Sequence, residues 1–169
     1  MQGRIIAIDP GNIESGYVVV EHDYGEIQRV IECGKVENDA VFGVLKKYAN
    51  AKTLIAIEMI ASYGMAVGKS VFDTCVWVGR FTERALYYAS PVIQIYRKDE
   101  KMNICGTLKA KDANITRALA DRYASGEPNF GKGTKDKKGF FYGFKADIWQ
   151  AFAVAVTCFD MYVRCEKRK

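Results

Sequence analysis

Residues 3–21 read GRIIAIDPGNIESGYVVVE, and the fold turns on this stretch. Gly3 to Asp9 is a short apolar run ending in an acid, and Gly16 to Glu21 is β-branched and uninterrupted, so both predict strands. Asp9-Pro10-Gly11 between them is a strand-to-turn signal. Working outward, Ile27 to Val36 follows a Tyr24-Gly25-Glu26 turn, which makes the first forty residues a three-stranded antiparallel meander. Ala40 to Ala49 carries Val41, Val44, Leu45 and Tyr48 at helical spacing, and Thr53 to Glu58 is a buried-type strand that again ends in an acid. Ser70 to Tyr88 predicts a helix, Pro91 to Tyr96 a strand, and Lys111 to Tyr123 and Ala146 to Val163 two further helices. A meander followed by alternating helix and strand implies an α/β fold with a mixed sheet.

The 169 residues suit one domain spanning 1–169, and 25 basic against 20 acidic side chains give a net charge of +5. With 49% hydrophobic and 27% charged residues and three prolines, the composition excludes a disordered chain. No apolar run approaches the ~20 residues a bilayer demands, so no membrane association is expected. The opening MQGRIIAIDPG is too short for a signal peptide. Five cysteines without a CxxC pair indicate neither a disulfide framework nor a zinc knuckle, and a reducing, cytoplasmic setting is expected. His22 is the sole histidine, which leaves carboxylates as the groups to carry any chemistry. Gly64 to Ser70 (GMAVGKS) approaches a phosphate-binding loop but is one residue short between its glycines, so no nucleotide cofactor is expected.

Three acids stand at the edges of elements that should be buried: Asp9, Glu58 and Asp147, the last in the first turn of the final helix. Brought together, like charges would repel and raise one another's pKa unless a cation intervened. Oxygen ligands without His or Cys select Mg²⁺ or Mn²⁺. Each acid also has a plainer reading, as a turn residue, an edge acid or a helix N-terminal acid favoured by the macrodipole. Residues 125–144 (SGEPNFGKGTKDKKGFFYGF) break the pattern with glycines, lysines and aromatics. They read either as a solvated loop or as a nucleic-acid contact.

The segments Ile6-Ala7-Ile8-Asp9-Pro10-Gly11 with Ser15-Gly16-Tyr17, Ile55-Ala56-Ile57-Glu58, and Ala146-Asp147-Ile148-Trp149-Gln150 through Thr157 together resemble the RuvC family of Holliday junction resolvases. Lys101 to Asn114 resembles the family's glycine-and-basic segment before its next helix. The long insertion at 125–144 is closer to the phage-borne branch than to the bacterial housekeeping enzymes. The resemblance implies an RNase H-like fold with a mixed five-stranded sheet flanked by helices, a homodimer, and Mg²⁺-dependent cleavage of four-way DNA junctions, with Mn²⁺ able to substitute. Carried over, Asp9, Glu58 and Asp147 would be metal-binding and catalytic acids.

The family usually has a second Asp three residues after the first on the last helix, and here that place is Gln150, which lies on the same helical face as Asp147 but brings no charge. A junction-binding protein with a degenerate, weakly active metal site is therefore the alternative. Tyr63 would correspond to an aromatic that inserts at the junction. Lys69, Arg97, Lys98, Lys101, Lys109 and Lys111 would contact phosphates. The apolar residues of the 70–88 helix extend beyond one stripe, with Val76 and Trp77 beside Val78, which suits dimerisation on a two-fold substrate. The sugar-kinase and actin class shares the Asp-x-Gly opening but resembles a duplicated form of the fold, and other RNase H-like nucleases such as the YqgF type stay open.

Overall fold

The computed structural model describes residues 3–23, 25–62, 64 and 66–164. The chain runs β1 (Gly3–Asp9), β2 (Glu14–His22), β3 (Ile27–Glu37), α1 (Asn38–Tyr48), β4 (Thr53–Met59), α2 (Lys69–Tyr87), β5 (Val92–Tyr96), α3 (Arg97–Cys105), α4 (Asp112–Tyr123) and α5 (Ala146–Cys158). The five strands form one sheet in the order β3-β2-β1-β4-β5. β1, β2 and β3 are antiparallel neighbours, while β4 and β5 join parallel through helical crossovers. This is the mixed five-stranded sheet flanked by helices that the sequence predicts.

Strand alternation sends successive side chains to opposite faces, and both faces are covered. Ile6, Ile8, Ile55 and Ile57 pack beneath α1 and α2 with Val41, Leu45 and Phe81. Ile5, Ala7, Val18 and Ala56 pack against α5, whose Phe152, Ala153 and Val156 are buried there. The uninterrupted apolar middles of β1 (Ile5 to Ile8) and β4 (Leu54 to Ile57) are the consequence of this double cover. α5 is the central helix of its layer, lying against β1 and β2, and ten of its residues are buried.

Three expectations need correction. Lys101 to Asn114 precedes and enters α4, but its first part is itself helical, which the sequence reading did not include: α3 occupies Arg97–Cys105 and ends on Gly106, whose φ of 67° is the left-handed conformation that stops a helix. Its RKDEKMNIC sequence has no apolar stripe, and its only buried residue is Glu100, so hydrophobic periodicity could not announce it. The final α-helix ends at Cys158 and continues as a wider π-turn, Phe159–Val163. The aromatics of 125–144 are mostly not free for stacking on bases: Phe141 and Phe144 are buried and pack on Trp149 and Phe152. Phe130 and Tyr142 remain exposed.

Candidate active site

The site is assembled by register. Asp9 pairs with Gly16 on β2, Gly16 pairs with Lys35 on β3, and the Ile8–Ile57 pair puts Asp9 beside Glu58 one step further along parallel β1 and β4. Alternation places these side chains on the face covered by α5. Gly16 is required because the first turn of α5 lies directly on it: a Cβ there would stand 2.5 Å from the Asp147 carbonyl oxygen and 2.9 Å from its carbonyl carbon. That close approach delivers Asp147 to the row, and Gln150 follows three residues on along the same helix face.

The turn after Asp9 is held from outside the site. Buried Asn38 donates from Nδ2 to the Gly11 carbonyl at 2.9 Å and accepts from the Ser15 hydroxyl at 2.5 Å. The Gly11 N–H in turn donates to Ser15 Oγ at 3.3 Å. A pocket of about 340 Å³ opens beside this turn, lined among others by Asp9, Glu14, Gly16, Lys35 and Asp147.

The Asp9 and Glu58 carboxyl groups lie close enough to couple electrostatically. Burial and the interaction with Glu58 push Asp9 up to about 8, with Asp147 adding to the rise and Arg97 opposing it. Burial also raises Glu58, although its interaction with Asp9 and the Arg97 charge pull it down, so the pair as a whole holds a proton above the usual carboxylate range. Asp147 stands slightly apart, its carboxylate 2.7 Å from Lys35 Nζ, and that lysine also lies 3.4 Å from Glu14. Among the described residues, no three acidic, histidine or cysteine side chains are gathered closely enough to hold an ion as they stand. The donor set is nevertheless uniformly hard oxygen, and the Gln150 Oε1 atom is buried without a hydrogen-bond partner. A site that retains a proton between two carboxylates and leaves an amide oxygen bare is chemically suited to a divalent cation.

A fourth acid escaped the sequence reading. Glu100 on α3 is 0% exposed, its Oε2 is 2.5 Å from Arg97 Nη1, and its Oε1 has no partner. Burial and the charges of Glu58 and Asp9 push it up to about 9, while Arg97 opposes the rise. Arg97 is thus not a free cation reaching for phosphate. It is clamped between Glu100 and Asp112 and supplies the positive charge that lowers Asp9, Glu58 and Glu100 alike. The sequence signal was present, since Arg97 directly follows a strand that pairs with β4, but one residue type admitted both roles. Lys69 opens α2, Lys98 and Lys101 lie on α3, and Lys109 and Lys111 precede α4, all but partly exposed Lys101 fully exposed. Tyr63 lies outside the described residues.

No protein-family model matches the sequence, and no curated protein does. Solved structures do. The RuvC of Thermus thermophilus in complex with a Holliday junction substrate superposes with a TM-score of 0.70 at 17% identity, over 97% of this chain and 96% of that one. The chain shares its fold with RuvC. A second structure of Thermus thermophilus RuvC gives 0.68 at 18% identity, covering 96% of each chain. The yeast mitochondrial Holliday junction resolvase Ydc2 gives 0.55 at 8% identity, covering 98% of this chain and 82% of that one. The likeness to RuvC therefore spans nearly the whole chain and is not confined to the opening meander.

Proposed function

We propose that this chain is a structure-specific endonuclease that cuts four-way DNA junctions, and other branched DNA of similar geometry, with a divalent cation. The observation that carries the reading is the desolvated Asp9–Glu58 pair at adjacent strand ends, with Asp147 brought alongside by the α5 contact at Gly16, in a fold shared with a RuvC bound to a Holliday junction. Asp9, Glu58 and Asp147, with the Gln150 amide oxygen, would hold the metal. Mg²⁺, or Mn²⁺ in its place, supplies activation of water and stabilisation of the leaving oxygen of a phosphodiester. Arg97 and Glu100 maintain the electrostatic balance behind the pair, and Lys35 holds Asp147 until it is needed. Lys69, Lys98, Lys101, Lys109 and Lys111 would contact phosphates, and Tyr63 would sit near the junction centre.

A homodimer belongs to the same proposal. α2 buries Thr74, Val78, Phe81 and Ala85 but exposes a second apolar stripe, with Phe72 at 60%, Val76 at 62%, Leu86 at 59% and Tyr87 at 75%. A two-fold partner covering that stripe would match a two-fold junction. Membership of the phage-type branch and action in bacterial cytoplasm belong to the proposal as well and rest on the sequence resemblance alone. Gln150 and the Lys35 contact to Asp147 favour the second reading, a junction-binding protein that cuts slowly.

Mg²⁺ titration against a labelled four-way junction, with linear duplex and RNA–DNA hybrid as controls, tests the proposal. Junction-selective cleavage lost in Glu58→Gln, with metal-free binding retained, is the expected result. Tight junction binding without cleavage at any metal concentration selects the second reading, and absence of both sinks the proposal.

A further inference from the structure

Nine of the described cations stand in ion pairs. Arg4 and Arg29 pair with Glu21, Lys47 with Glu32, and Arg122 with Glu26 and Asp160. The turn between Gly131 and Gly139 is different. It carries Lys132, Lys135, Lys137 and Lys138 against the single acid Asp136, and among the described residues none of these lysines lies within ion-pair distance of an acid. Lys135, Lys137 and Lys138 are exposed.

The turn is built rather than loose. Gly133 and Lys138 form an antiparallel bridge, the Thr134 N–H donates to the Lys137 carbonyl at 2.9 Å, and the Gly139 N–H to the Lys132 carbonyl at 3.0 Å. Its strands approach so closely that a Cβ on Gly139 would stand 2.2 Å from the Gly131 oxygen. Gly133 takes a φ of 68°, with the Lys137 oxygen 2.3 Å from where a Cβ would be. Beneath it, the Phe141 N–H donates to the Gly131 carbonyl at 3.1 Å, and Phe141 and Phe144 are locked into the core. Three residues after Phe144, on the same continuous segment, Asp147 enters the candidate site.

A narrow turn with a fixed base and four lysines against one acid fits a ligand with regularly spaced anionic groups. Resting on the proposed junction-cutting function, we infer that the 131–139 turn is a phosphate clamp that grips the DNA backbone, carried on the segment that leads into Asp147. Lysine contacts to phosphates position the duplex and carry no base identity.

The test is metal-free binding to a labelled four-way junction across a salt series. Replacing Lys132, Lys135, Lys137 and Lys138 together by Gln should weaken binding at least tenfold near 0.1 M salt and flatten the log–log salt slope by about 2 or more, since each phosphate contact contributes roughly 0.9 to that slope. The corresponding fourfold Lys→Arg variant should bind as the parent does. Lys46→Gln with Lys52→Gln, on α1 and at the opposite end of β4, should leave affinity and slope unchanged. A Gln variant with parental affinity and slope, or an Arg variant as weak as the Gln variant, overturns the clamp. Failure of the parent chain itself to bind junctions would instead sink the underlying function, so the two failures are distinguishable. Equal melting temperatures of parent and variants exclude misfolding.

Discussion

Replacing Asp9 by Asn should make the metal-free protein more stable at alkaline pH while abolishing nicking. In the parent chain Asp9 is held at about 8 against an ordinary 3.8, chiefly by burial and by Glu58. The folded state thus keeps a proton that the unfolded chain releases above about pH 4, so metal-free stability falls as pH climbs from about 4 to about 8 and levels off beyond it. At about 1.4 kcal/mol per pKa unit, the loss by pH 8 is on the order of 3–6 kcal/mol. Asn never titrates and so escapes that loss. For a chain of this size 1 kcal/mol corresponds to about 2–4 °C. Asp9→Asn should therefore melt about 6–24 °C above the parent at pH 8 in EDTA, with the gap closing steadily toward pH 5. Thermal denaturation followed by circular dichroism in a buffer series measures this directly, and Mg²⁺ added at pH 8 should raise the parent's melting temperature but not the variant's. An Asn variant no more stable than the parent at pH 8, or equally advantaged at pH 5 and pH 8, would refute the account of a proton trapped by desolvation.

Other perturbations probe different parts of the site. Gly16→Ala forces a Cβ onto the Asp147 backbone and should cost about 1–3 kcal/mol in chemical denaturation, with cleavage falling further than stability. Gln150→Asp restores a charge on the α5 face and should tighten Mn²⁺ binding in calorimetry and speed cleavage; unchanged affinity would exclude that position from the metal's surroundings. Arg97→Gln removes the one cation that lowers Asp9, Glu58 and Glu100, so it should destabilise by about 3–5 kcal/mol and more at pH 8 than at pH 5 in denaturant titrations. Val76→Asp with Leu86→Asp on the exposed stripe of α2 should convert a dimer to a monomer in analytical ultracentrifugation without loss of helicity.

The strands and most helices were legible because their apolar residues recur at the period of the element they form, and the two strand-ending acids could be picked out as Asp9 and Glu58 for the same reason. The opening meander and the α/β class followed from local pattern, whereas the order of the strands in the sheet did not. What local pattern could not carry was α3, whose register is set by a buried charge, Glu100, paired with Arg97. Nor could it tell that Phe141 and Phe144 belong to the core, since aromatics in a glycine-rich segment look alike whether they face solvent or protein. Asn38, which braces the turn behind Asp9 from 27 positions along the chain, gave no signal either. Burial, pairing and proton sharing depend on which distant side chains meet, and sequence separation hides that until the sheet is assembled. The acids are named by the chain; their desolvation, and with it any affinity for a cation, is a property of the packed fold alone.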